Sequence, residues 1–315
     1  MPMVGFDIFL QTTFPIFFLI GMGLISRKMN ILKEEDEKIL GAYLYYFALP
    51  SLILVNLSEI VFTKETYRFM IVGILPIIVV LIIYILSYFI FRISKNKLYL
   101  MIISTTYSNT AFYGIPFITF AFPTKQAEYL ATLTVSSISV VVIISSILIL
   151  ELYKLESTTV ISGLKVIIKR FLKNPMILSV LIGSFLSIIG FKIPLPIYNP
   201  LHMMGNTTST VALFILGVFI YGRRFTNILQ SFKYSLLKII FLPIVSIIIL
   251  KLFHLPSIEN YIIVLMHGMP LGLSMTVLSE QYDFYKETIA SLMLISSIAA
   301  GIYLNLLLVI VETIF

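Results

Sequence analysis

Ser108-Asn109-Thr110-Ala111-Phe112-Tyr113-Gly114-Ile115-Pro116 sits in the middle of an apolar run from residue 98 to residue 120. A run of that length suits a helix that crosses a bilayer, which needs about 20 apolar residues. Proline inside it removes a backbone donor and clashes with the preceding turn, and glycine two positions earlier frees the backbone. The stretch therefore predicts a helix interrupted at Gly114 to Pro116. Unpaired backbone cannot face lipid, so the interruption must be buried in protein or line an aqueous cavity. Gly268-Met269-Pro270 repeats the pattern in the run from 258 to 279, with its proline 154 residues after the first in a chain of 315.

Composition agrees with a membrane setting. Hydrophobic residues make up 59% of the chain and charged ones 12%, with a mean hydropathy of +1.04. A soluble domain carries about a quarter charged residues, so an ordinary water-soluble enzyme is excluded and the chain is read as integral to the membrane. The absence of cysteine removes disulfides, thiolate metal sites and cysteine nucleophiles. Met1 to Phe9 holds no Lys or Arg, and no small-residue cleavage site follows, so the first span is expected to stay as an anchor rather than leave as a signal peptide. The net charge of +7 is assigned to topology, and no nucleic-acid partner is expected.

Apolar runs between charged or turn residues define ten predicted spans: 6 to 26, 39 to 57, 69 to 91, 98 to 120, 128 to 150, 176 to 190, 201 to 221, 234 to 252, 258 to 279 and 288 to 311. The runs are too long and continuous for barrel strands, so the fold class is all-α and polytopic. Lys and Arg number 16 in the loops after the odd spans and five in the other loops and tails, and Lys238 lies within span eight. That excess places the odd loops in the cytoplasm and both termini outside. The longest connection, Glu151 to Asn174, divides the chain into residues 1–152, a short cytoplasmic loop 153–175, and residues 176–315. Five spans per half make any repeat inverted. Pro15 pairs with Pro175, Pro76 with Pro243, and Pro116 with Pro270, each at close to half the chain length.

Pro116 and Pro270 suit the first turn of a new half-helix, whose N-terminal amides carry partial positive charge. Two such ends near mid-membrane favour an anion. Ser108, Asn109 and Thr110 before one break, and Ser274 and Thr276 after the other, add polar groups for a substrate. Asp7, Glu151, Glu280, Asp283 and Glu312 all fall at span ends, where solvent or headgroups are expected to hydrate them, which argues against a carboxylate-relay pump. Lys238 and Lys251 are expected to snorkel from opposite ends of span eight. His267, three residues before Pro270, is the ionisable side chain close to a break and the proton-coupling candidate, with a neutral hydrogen-bonded histidine as the alternative. There is no phosphate-cradling Walker A loop, no GxSxG and no HExxH. The chain is read as a non-enzyme with no metal site and no cofactor, with coupling to H+ or Na+ left open.

The string from Ser108 to Pro116, together with Gly268-Met269-Pro270-Leu271-Gly272 and Ser279-Glu280-Gln281-Tyr282, resembles the auxin efflux carrier family, which includes bacterial malate permeases and plant PIN-type auxin exporters. The resemblance covers the whole chain. It implies a five-plus-five inverted repeat, spans four and nine crossing at their prolines, and an elevator-like secondary carrier of small organic anions such as dicarboxylates or indole acids. Spans one, two, six and seven would form a scaffold, often dimerising, and the rest a moving transport unit. Family roles carried over by position make Asn109, Pro116 and Pro270 substrate-site residues, with Gly114 and Gly268 permitting the crossover. Met266, His267 and Met269 depart from the family pattern at the start of the second string. Three other readings are a sodium and bile-acid symporter-like carrier, a membrane receptor that binds a ligand without moving it, and an intramembrane hydrolase. The last lacks a paired nucleophile and base.

Overall fold

The computed structural model describes residue 10 and residues 13–33, 35–60, 63–154, 173–222 and 227–315. Over these the chain forms α1 (Phe14–Lys28), α2 (Asp36–Ser58), α3 (Lys64–Phe91), α4 (Lys95–Thr106), α5 (Thr110–Ala121), α6 (Lys125–Lys154), α7 (Pro175–Ile188), α8 (Leu195–Ile220), α9 (Ile228–Leu250), α10 (Ser257–His267), α11 (Ser274–Tyr282) and α12 (Lys286–Ile314). Six of them, α2, α3, α6, α8, α9 and α12, are long and apolar enough to cross a membrane. The ten apolar runs are therefore not ten uninterrupted helices. The first and sixth hold helices of 15 and 14 residues, α1 and α7. The fourth and ninth are each divided, into α4 with α5 and α10 with α11. Lys165, Lys169, Arg170, Arg223 and Arg224, which entered the charge count, lie outside the described residues, as do Met1 to Phe9.

The chain forms two compact units, one from Met1–Tyr67, Ala111–Ser136 and Arg170–Arg223, the other from Arg68–Thr110, Ser137–Lys169 and Arg224–Phe315. Each draws on both halves of the sequence. In the first unit α1 and α8 meet backbone to backbone. A Cβ added at Gly23 would land on the Phe214 carbonyl oxygen, and one at Gly217 on that of Ile20. On α2, Gly183 of α7 lies against Leu54 and Leu57, and Gly205 of α8 against Leu52. Glycine at such positions lets helices approach where lipid supplies no hydrophobic drive between them. Polar pairs add to the contact: the hydroxyls of Tyr43 and Thr207 are 2.8 Å apart, and the Asn56 amide donates to the Thr132 hydroxyl at 3.2 Å.

Among the described residues four helices contain a complete wide π turn: Leu44–Ala48 in α2, Thr110–Gly114 at the start of α5, Val135–Ser139 in α6 and Leu237–Phe241 in α9. Three of these end two residues before a proline, Pro50, Pro116 and Pro243. An α-helical proline leaves the carbonyl four residues back without its donor and presses the ring against it. An i→i+5 register offers that carbonyl to the residue after the proline. This corrects the expected break at Gly114 to Pro116: Gly114 is helical, with φ −68° and ψ −50°, and Pro116 sits in the first turn of regular α-helix that follows the π turn. The interruption lies earlier, at Tyr107 to Asn109. The second one spans Gly268 to Leu273, so Pro270 lies within it and does not open the next helix.

In the second unit α4 packs on α6 and α9, while α12 contacts α9, α10 and α11. The core is apolar around Leu292, Met293, Leu304 and Met266, all fully buried. Buried polar residues beside the two interruptions include Thr105, Thr106, Asn109, Thr110, Lys238, His267 and Ser296.

Candidate functional site

Helix α4 stops at Thr106, and Tyr107 caps it by donating its N–H to the Ile103 carbonyl at 3.1 Å. The next residues pair with the second interruption as a short antiparallel bridge between Ser108 and Leu271. The Asn109 N–H donates to the Pro270 carbonyl at 2.7 Å, and the Gly272 N–H to the Tyr107 carbonyl at 3.2 Å. Two stretches of non-helical backbone thus satisfy each other, as buried peptide groups must. Gly272 is required by the closeness of the pair, because a Cβ there would lie 2.9 Å from the Tyr107 ring.

Helix α12 holds the second interruption from behind. The Leu271 N–H donates to the Ser296 hydroxyl at 3.1 Å, and the Tyr303 hydroxyl donates to the Gly268 carbonyl at 2.7 Å. Ser296 and Tyr303 are seven residues apart and so share a helix face. Across the pair, the Tyr107 and Ser274 hydroxyls are 3.0 Å apart, and Thr110 bonds the Ser139 hydroxyl. Asn109 is nearly buried, and its carboxamide has no hydrogen-bond partner among the described residues.

Ser108, Asn109, Thr110, Gly268, Pro270 and Ser274 therefore come together in the second unit. Gly114 and Pro116 belong to the first unit, where they are buried within α5. His267 ends α10 fully buried, with its Nε2 2.9 Å from the Gly73 carbonyl. A carbonyl only accepts, so the ring carries its proton on Nε2. Its Nδ1 has no partner among the described residues.

Two expectations drawn from sequence position are corrected. Lys238 does not snorkel: it is 0% exposed, and its ammonium donates to the Thr105 carbonyl at 2.9 Å and to the Ser108 hydroxyl. The reason is local, since the π turn Leu237–Phe241 faces the end of α4, where free carbonyls offer acceptors. Glu151 is not hydrated at its span end but 3% exposed, accepting a 2.6 Å bond from the Tyr282 hydroxyl. Lys251 is exposed, as expected. Sequence reasoning also passed over Tyr107, Ser296 and Tyr303, and gave Gly272 no role of its own. The seven-residue spacing of Ser296 and Tyr303 was the available signal. No group of three His, Cys, Asp or Glu among the described residues could hold a metal ion.

A family model described as Membrane transport protein matches residues 8–308. An uncharacterized transporter of Methanocaldococcus jannaschii is 22% identical over 290 residues, which cover 90% of this chain and 92% of that one. The lysosomal cholesterol signaling protein of Mus musculus is 25% identical over 317 residues, again covering 90% of this chain but 35% of the mouse protein.

Proposed function

Because the chain belongs to the membrane transport protein family, that of the auxin efflux carriers, we propose that it is a secondary active carrier of small organic anions such as dicarboxylates or indole acids. The observation that carries this reading is the bridge between Tyr107–Asn109 and Pro270–Gly272, flanked by polar groups in one unit. Helix α11 begins beside it at Ser274, and a helix start favours negative charge. The Asn109 carboxamide is left with donors and an acceptor for a ligand. Unwound backbone at mid-membrane is the form that substrate sites take in secondary transporters built from repeats. No ATP-binding loop is present, so an ion or substrate gradient is the energy source.

In this reading spans four and nine cross at the bridge, and the two halves of the sequence form an inverted repeat with both termini outside the cell membrane. The second unit, which contains the bridge, is the moving part of an elevator, and the first is its scaffold. Close glycine-mediated packing of α1, α2, α7 and α8 supports a rigid scaffold. The chain in proteoliposomes is expected to take up labelled L-malate or indole-3-acetate when an inward proton or sodium gradient is imposed. Asn109→Ala is expected to cut that flux about tenfold, the loss of roughly one hydrogen bond to a charged group, with folding retained. Full flux in Asn109→Ala would remove this residue from the site.

A receptor that binds such a ligand without moving it is the second reading, favoured by the match to a mouse protein named for signaling. Saturable binding of a probe without flux under either gradient would select it over the carrier.

A further inference from the structure

Among the described residues Lys238 is the single Lys or Arg side chain that is buried, and its surroundings hold no acid to neutralise it. The buried carboxylate of the same unit, Glu151, is engaged by the Tyr282 hydroxyl. The lysine has three N–H groups and two acceptors, the Thr105 carbonyl and the Ser108 hydroxyl. Its seat is built. Tyr84 donates or accepts at the Thr105 hydroxyl at 2.8 Å, and its ring stacks on Phe241, three residues beyond Lys238, with centroids 5.8 Å apart.

A buried ammonium without a counter-charge is costly. The carbonyls at the end of α4 offset part of it, since a helix C-terminus carries about half a negative charge. A carboxylate arriving at Ser108, one residue from the Asn109 carboxamide, would supply the counter-charge that holds Lys238 as an ammonium. The Ser108 hydroxyl accepts from Lys238 and turns its own proton toward the Thr106 carbonyl over a long 3.4 Å contact. A carboxylate offers that proton a stronger, charge-assisted bond.

We propose that Lys238 supplies the positive charge that makes this bridge a site for an organic carboxylate, acting through the Ser108 hydroxyl as a positioning residue. The proposal rests on the carrier reading above. A substrate carboxylate placed at Ser108 and Asn109 is the missing counter-ion of Lys238, and a neutral analogue of the same shape gains nothing from it.

The test is uptake of labelled L-malate and indole-3-acetate by proteoliposomes holding the wild-type chain, Lys238→Met or Lys238→Arg. With whichever probe the wild type carries, Lys238→Met is expected to raise KM about tenfold or more with a smaller change in maximal rate. Lys238→Arg, which keeps the charge, is expected to recover most of the affinity. An unchanged KM in Lys238→Met overturns the role of Lys238 and leaves the carrier reading standing. Transport of neither probe by the wild type under proton or sodium gradients overturns both. If Lys238→Met does not fold, Ser108→Ala is expected to raise KM in the same way, and an unchanged KM there overturns the proposal.

Discussion

Leu271 is fully buried, and its N–H meets a single acceptor, the Ser296 hydroxyl. Removing that acceptor leaves an unpaired donor in a dry interior, at a cost of about 1–3 kcal/mol. Ser296→Ala is therefore expected to lower the thermal midpoint of the purified protein. Ser297→Ala is the control, because the Ser297 hydroxyl reaches only the Met293 sulfur at 3.8 Å, and a fall equal to that of Ser296→Ala would deny the Leu271 bond its weight. At this scale the placing of Ser108, Asn109, Thr110 and Ser274 beside the two interruptions was legible in the sequence, since they flank helix breakers inside apolar runs. Lys238 was not. Its position along span eight suggested a side chain reaching for the interface, whereas the acceptors that hold it lie 130 and 133 residues away, and no local pattern announces them.

Among elements, the most demanding contact is that of α1 with α8, where Gly23 and Gly217 leave no room for a Cβ. Gly217→Leu is expected to push the helices apart and destabilise the protein by several kcal/mol, more than the roughly 1–3 kcal/mol of ordinary overpacking, because the obstacle is backbone. Gly21→Ala, on a face of α1 with nothing within 4 Å, is expected to be neutral or slightly stabilising through helix propensity. A thermal shift of the same size for both would contradict the packing. The helices themselves were readable from apolar run length, and so were the two interrupted spans. Where they break was misread at the first one, because proline was taken as the interruption itself, while a π turn carries the chain past Pro116 and the backbone opens at Tyr107 instead.

For the whole molecule, the basic-residue asymmetry makes a prediction that the native lack of cysteine renders simple to check. Lys95→Cys, in the loop after span three, is expected to be shielded from an impermeant maleimide in intact cells, and Lys192→Cys, between spans six and seven, to be labelled. The opposite pattern would reverse the proposed orientation. Loop length and charge suggested a division into halves at Glu151 to Asn174. The compact units follow a different division that was not readable, because the chain passes between them several times, and packing rather than sequence order defines them. Two of those passages, Thr110 to Ala111 and Ser136 to Ser137, fall inside the π turns Thr110–Gly114 and Val135–Ser139. A π turn holds one residue more than an α turn needs, and that slack can slide along a helix by exchanging i→i+5 for i→i+4 bonds one at a time. Two of the joints thus fall where a helix carries one residue more than its α-helical register needs, so a change of register there costs fewer hydrogen bonds than one elsewhere along the helix.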